Sequence, residues 1–337
     1  MTDPRTIEAD PSWLPHRVDV SRRTVELMRI PRSELGKTGF LADRKPSSKA
    51  DVAIIGWDDV RAMRVETGKL HFIFHTAFCR STLLVRALDR PGVCIGLNEP
   101  GILASLAGNV EATKPLVKPV LQLLSRAHEP GEAVFVKPSN MANMLIPGML
   151  NTMPEARAIL MSNALPKFLG SVAKRGLLGR RWGRELFLAL QSYAGMDFGM
   201  SSRELFAMSD MQAAALAWFL GQRWFLLHMQ GQVAGISGDR FRSLDGDRFN
   251  AERVKTIAAI ADFAELEIDQ AGAEELAHAD VFDEHSKLGG AQAAHEDEDN
   301  MLARDAKLAE EIGQVEQWVG MIAQQAGLAI PMKQSLF

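Results

Sequence analysis

Cysteine is nearly absent: Cys79 and Cys94 are the two in 337 residues. Two thiols cannot build a disulfide framework, and they lack Cys-x-x-Cys spacing, so a reducing compartment is the expectation. There is no excess of basic charge either. A formal charge of −4 and a pI near 6.1 set nucleic acid aside as a partner. No run approaches the roughly 18 apolar residues that a membrane helix needs, so no membrane span is expected. Met1 to Trp13 is polar and acidic, without the apolar centre of a secretory signal. A soluble cytoplasmic protein is the reading. A glycine-rich nucleotide loop is missing as well. Gly36-Lys37-Thr38 has the ending of one, but Pro31 stands where its first glycine belongs and no apolar strand leads into it.

What is present is an ordinary globular composition, 47% hydrophobic and 24% charged, with enough chain for a large core. Arg17–Val20 and Thr24–Ile30 alternate apolar and polar side chains, the pattern of half-buried strands. From Leu70 the texture changes. Leu70–Phe74, Val93–Leu97, Ala133–Val136 and Ala158–Met161 are short apolar runs, with helical patterns between them. That alternation predicts βαβ units around a parallel sheet, whose ligands bind at the carboxyl ends of the strands. Residues 175–235 read as mostly helical, with Ala214, Trp218, Gly221 and Phe225 as a core stripe. Glu252–Ala264 reads as an amphipathic helix with Val254, Ile257, Ala258 and Ala261 inward, and a last helix runs to about Ala326. The run His295-Glu-Asp-Glu-Asp, within the acidic loop Gly289–Asn300, matches no metal-ligand spacing and reads as solvated.

The segment from Leu70 to Leu88 is where chemistry is expected: strand, short polar loop, helix. A helix start presents unpaired N–H groups to an anion. Ser81 and Thr82 add hydroxyls, and Arg80 adds a permanent forked cation. The alternative is that Ser81 merely caps an ordinary helix.

This segment resembles the 5′-phosphosulfate loop of sulfotransferases, Pro-(Lys/Arg)-Ser-Gly-(Ser/Thr)-Thr. Ala77 takes the proline place, Phe78 the basic place, Cys79 the serine and Arg80 the glycine, with Ser81 and Thr82 as the hydroxyl pair. Val134-Phe-Val-Lys-Pro-Ser-Asn, then Leu150 and Pro154-Glu-Ala-Arg-Ala-Ile-Leu, is similar to the family's strand ending in Lys-Ser-Pro and the strand entry after it. Phe241-Arg-Ser-Leu-Asp with its following helix resembles the family's late strand–loop–helix.

The resemblance implies a three-layer α/β fold of the P-loop kind, with a central parallel sheet. It places a β-rich extension at 1–68, a core at 69–290 with a helical insertion near 175–235, and an acidic loop with a C-terminal helix at 291–337. It implies transfer of a sulfuryl group from 3′-phosphoadenosine 5′-phosphosulfate (PAPS), leaving PAP, to a hydroxyl or amine on a small-molecule, saccharide or lipid acceptor, without a metal.

Glu99, after the second strand of this sheet, stands where the family's base is found. Lys137 is placed to neutralise the sulfonate or bridging oxygen, with Arg80. Counting back eight residues from Ser171 puts Asn163 in the place of the arginine that pairs with this serine on the 3′-phosphate. Lys174 and Arg175, in the basic run that continues through Arg180, Arg181 and Arg184, are the candidate substitutes.

Each residue also has a plainer reading. Glu99 is then a turn residue before Pro100, Lys137 a lysine in a structural ion pair, His75 a core histidine, and the basic run a solvated helix face. The departures at Phe78 and Asn163 favour a rival function, a sulfotransferase-like nucleotide- or anion-binding protein that has lost catalysis. A P-loop nucleotide kinase or hydrolase is the remaining alternative.

Overall fold

The computed structural model describes residues 3–36, 39–282 and 305–337. Lys37 and Thr38 of the Gly-Lys-Thr triplet, and the run from His295 to Asp299, lie outside the described residues. Among the described residues no helix is long and apolar enough to cross a membrane.

The two alternating segments at the start are strands, the first of them beginning earlier, at Trp13. β1 (Trp13–Asp19) and β2 (Thr24–Arg29) are antiparallel, and β2 pairs on its other side with β3 (Val52–Gly56). β3 does not show in the sequence, because five residues that run straight into the helix Trp57–Ala62 leave little alternation to count. The second sheet holds five strands. These are β4 (Leu70–His75), β5 (Cys94–Asn98), β6 (Ala133–Lys137), β7 (Ala158–Ser162) and β8 (Phe241–Asp245), in the order β5-β6-β4-β7-β8. β6 is parallel to both β5 and β4. The α/β class with a central parallel sheet is therefore what the chain adopts. Every residue of β4, β5 and β6 is buried, as strands covered on both faces must be.

The order places a switch. β4 continues through the helix Ser81–Ala87 to β5, on one side, whereas β6 continues through the helix Ile146–Thr152 to β7, beyond β4 on the other side. The crevice outside the carboxyl ends of adjacent strands that part in this way is the usual ligand position of open α/β sheets.

The chain divides into two compact units. The first comprises Met1–Phe74, Ser81–Ile159 and Arg253–Ala279. Phe72, Ile73, Phe74 and Phe135 lie in its core. Arg126 ties down its N-terminal segment: the buried guanidinium donates to the carbonyls of Ile7, Asp10 and Trp13, and burial lowers its pKa to about 10. The helix Arg253–Phe263 buries Thr256, Ile257, Ile260 and Ala261, while Val254 and Ala258 are half-buried. Its buried face is thus turned from the one expected, because a threonine occupies a place read as polar surface.

The second unit comprises His75–Arg80, Leu160–Glu252 and Asp280–Phe337. The 175–235 region is three helices here, Gly176–Ala194, Ser202–Ala207 and Asp210–Met229. The latter two each open on a capping box, Ser201 with Glu204 and Ser209 with Gln212. The helix Asp210–Met229 buries fourteen residues around its circumference, including Ala214, Trp218, Gly221 and Phe225. Gly183 lets the preceding helix approach it, since a Cβ there would stand 2.8 Å from that of Ala214. β8, last in the sheet order, is covered by the end of the chain. Ser335 and Leu336 donate backbone N–H groups to the Ser243 carbonyl, and the Ser243 and Asp245 N–H groups donate to Ser335 Oγ and Gln334 Oε1.

Candidate anion loop and charged pair

Between β4 and the helix Ser81–Ala87 the chain turns through Thr76–Arg80. Ala77, Phe78 and Arg80 all have positive φ, at 77°, 54° and 60°. Each such residue costs roughly 1–2 kcal/mol relative to right-handed backbone, so the surroundings must impose this loop, and imposed strain of this kind gathers at functional sites.

Contacts within the second unit do so. The Thr76 N–H donates to the Met161 carbonyl (3.1 Å), and the Ala77 N–H to His75 Nδ1 (3.1 Å). His75 therefore acts within the loop's own frame, as a buried histidine with a bonded ring. Asn163 Nδ2 donates to the Phe78 carbonyl (2.6 Å), while the Asn163 carbonyl accepts from Trp218 Nε1 (2.9 Å). The Phe78 ring packs on Trp182 and Phe168, with centroids 5.1 and 5.7 Å away. Gly246 admits the loop closely: a Cβ there would lie 2.4 Å from the Cys79 carbonyl oxygen and 2.6 Å from Asn163 Oδ1.

Arg80 is not a loose loop cation. Its side chain is 9% exposed and forms an ion pair with Asp247, whose other oxygen takes Lys167 Nζ at 2.7 Å. Burial pushes the Asp247 carboxyl up, but the Lys167 hydrogen bond and the Arg80 charge outweigh it and hold its pKa below the ordinary value. Among the described residues, three buried polar atoms in this region have no protein partner: Thr76 Oγ1, Arg80 Nε and Asn163 Oδ1.

Of the other loop residues, Cys79 is fully buried, Ser81 is buried as the first residue of its helix, and Thr82 is half-buried. Ser171 is buried within the helix Leu165–Lys174, and its carbonyl accepts from Arg175 Nη1 (2.8 Å). Lys174 and Arg175 are exposed at that helix's end. Asn163 and Ser171 thus lie inside the protein, and the Asn163 amide supports the loop backbone.

In the first unit, Glu99 directly follows β5 and Lys137 ends the adjacent strand β6. The Glu99 N–H donates to the Lys137 carbonyl (2.7 Å), and Lys137 Nζ donates to Glu99 Oε1. The lysine side chain is 1% exposed and its partner's 18%. Lys137 Nζ also lies 5.4 Å from the centroid of the Phe40 ring. An ammonium so buried is held by a carboxylate that still reaches solvent, an arrangement suited to proton transfer next to fixed positive charge.

Asp247, Lys167, Trp182 and Gly246 were not read from the sequence. A Gly-Asp opening a helix directly after β8 was the available signal for two of them. Among the described residues no cluster of three or more metal-ligating side chains occurs.

No protein-family model and no curated protein sequence matches the chain. Among solved structures, one described as "Sulfotransferase Domain from the Curacin Biosynthetic Pathway" aligns at 12% identity. The alignment covers 79% of this chain and 99% of that one, with a TM-score of 0.40. At that score the likeness bears on neither substrate nor mechanism.

Proposed function

We propose that this chain is a sulfotransferase-like protein that binds PAPS through the Thr76–Thr82 segment and transfers its sulfuryl group to a hydroxyl or amine. The observation that carries the reading is the strained loop following β4, at the point where the connections of β4 and β6 part. The Thr76 hydroxyl, with no protein partner among the described residues, is a donor of the kind an oxyanion accepts from.

In the proposed reaction Glu99 takes the acceptor's proton as the acceptor oxygen or nitrogen bonds to sulfur. The bond from sulfur to the PAP phosphate oxygen breaks, and that oxygen leaves with the electron pair. Lys137 neutralises charge on the sulfonate or bridging oxygen, so catalysis is mostly positioning and electrostatics, as in phosphoryl transfer.

A second reading is favoured by the Arg80–Asp247 ion pair: an anion- or nucleotide-binding protein without turnover. Thermal unfolding with PAP and with ATP, followed by assay of labelled PAPS against hydroxyl and amine acceptors, separates the readings. PAP at a hundred times its Kd adds about 2.7 kcal/mol and raises Tm by several degrees. A shift with PAP but no turnover on any acceptor selects the binding protein. A shift with ATP alone selects a nucleotide kinase or hydrolase and ends the sulfotransferase reading.

A further inference from the structure

The one basic residue in the Thr76–Arg80 loop is engaged elsewhere, since Arg80 is paired with Asp247 and largely buried. The place where the resemblance asks for a cation holds Phe78. Yet positive charge stands there. The guanidinium of Arg175 lies over the Phe78 ring, 4.1 Å from its centroid, on an exposed residue. Arg175 is steadied from behind by its Nη1 bond to the Ser171 carbonyl. Phe78 is steadied by Trp182, Phe168 and the Asn163 amide. An aromatic face attracts a cation, and a guanidinium meets a ring with its flat face but an oxyanion with its in-plane donors. The two engagements do not compete.

We propose that Phe78 is a positioning residue that carries the Arg175 guanidinium to the loop, so that Arg175 rather than Arg80 meets the ligand's sulfate or phosphate group. The inference rests on the proposed anion-binding function and deepens it: the loop's basic place is filled by a side chain from 97 positions later in the sequence.

The experiment is calorimetric titration of the full chain with inorganic sulfate and with PAP, in the parent and in four variants. Arg175→Ala should weaken both ligands about tenfold or more, as loss of a charge-assisted contact does. Phe78→Leu should weaken them about threefold to fivefold, the scale of a cation–π contact, and Phe78→Tyr should bind like the parent. The double variant Phe78→Leu/Arg175→Ala should bind no more weakly than Arg175→Ala, because the ring acts through the guanidinium. A merely structural Phe78 would instead give additive losses.

Parent-like affinity in Arg175→Ala, with PAP binding intact in the parent, overturns this inference and leaves the proposed function standing. A parent that binds neither sulfate nor PAP overturns both. Should Phe78→Leu fail to fold, the exposed Arg175 still decides the matter.

Discussion

Glu99 and Lys137 are joined twice, by a backbone hydrogen bond between the ends of β5 and β6 and by an ion pair between their side chains. The two partners differ in what they lose when the pair is broken. Glu99 reaches solvent, but the Lys137 ammonium is sealed in. Removing the carboxylate takes a compensating charge away from a buried ammonium, whereas replacing the lysine by an apolar side chain of similar volume removes the charge with it. Glu99→Gln should therefore destabilise by about 3 kcal/mol, and by more than Lys137→Met does. Urea unfolding of both variants reads the order, and equal or reversed costs would show that the lysine is compensated elsewhere.

The same Glu99→Gln variant tests the proposed chemistry. A base acts in the transition state, so its loss belongs in kcat, at about a hundredfold or more, with PAP affinity close to the parent's. Turnover that survives at the parent's rate clears Glu99 of the role.

Gly246 sets a steric limit on the loop. Gly246→Ala puts a methyl group against the Cys79 carbonyl and Asn163 Oδ1. Forcing atoms into a packed site costs about 1–3 kcal/mol, and here the cost falls on the segment proposed to hold the anion. The expected outcome is a lower Tm together with weakened sulfate binding. A drop in Tm with parent-like sulfate affinity would separate the glycine from the site.

Two buried histidines make stability depend on pH. Burial lowers the pKa of His71, with help from Arg157 and Lys69, and burial lowers that of His228, each to about 4. Their ordinary value is 6.5, so between about 4 and 6.5 the unfolded chain binds more protons than the folded one. Stability then rises with pH through that window and is lost as pH falls from about 6.5 to about 4. Each ring contributes at most about 3 kcal/mol. His16 and His128 are shifted in the same direction, chiefly by burial, and add to the effect. Urea midpoints at pH 7.5 and pH 5 should differ in the parent and differ less in His228→Leu. A parent with equal midpoints would contradict the assignment.

The strands could be read wherever burial leaves a pattern in one dimension. β1 and β2 alternate, and β4 to β7 are unbroken apolar runs bounded by polar turns. β3 escaped because it is five residues long and abuts a helix. The loop's place between strand and helix was equally legible. What held it was not, because the Arg80–Asp247 pair spans 167 positions and no local spacing announces it. Phe78 shows the same limit. In sequence it is a missing cation, and only the fold brings Arg175 onto its ring.

The strap on β8 is made of the last residues in the sequence. Lys333, Gln334, Ser335 and Leu336 supply the groups that bond Ser243 and Asp245. During synthesis the groups that bond Ser243 and Asp245 in the strap are therefore missing until more than eighty further residues have been added. An open strand edge is a template for pairing with another chain. A chain that has passed Asp245 but not reached Lys333 lacks these partners, so conditions that slow elongation over that stretch should favour association of unfinished chains over completion of the strap.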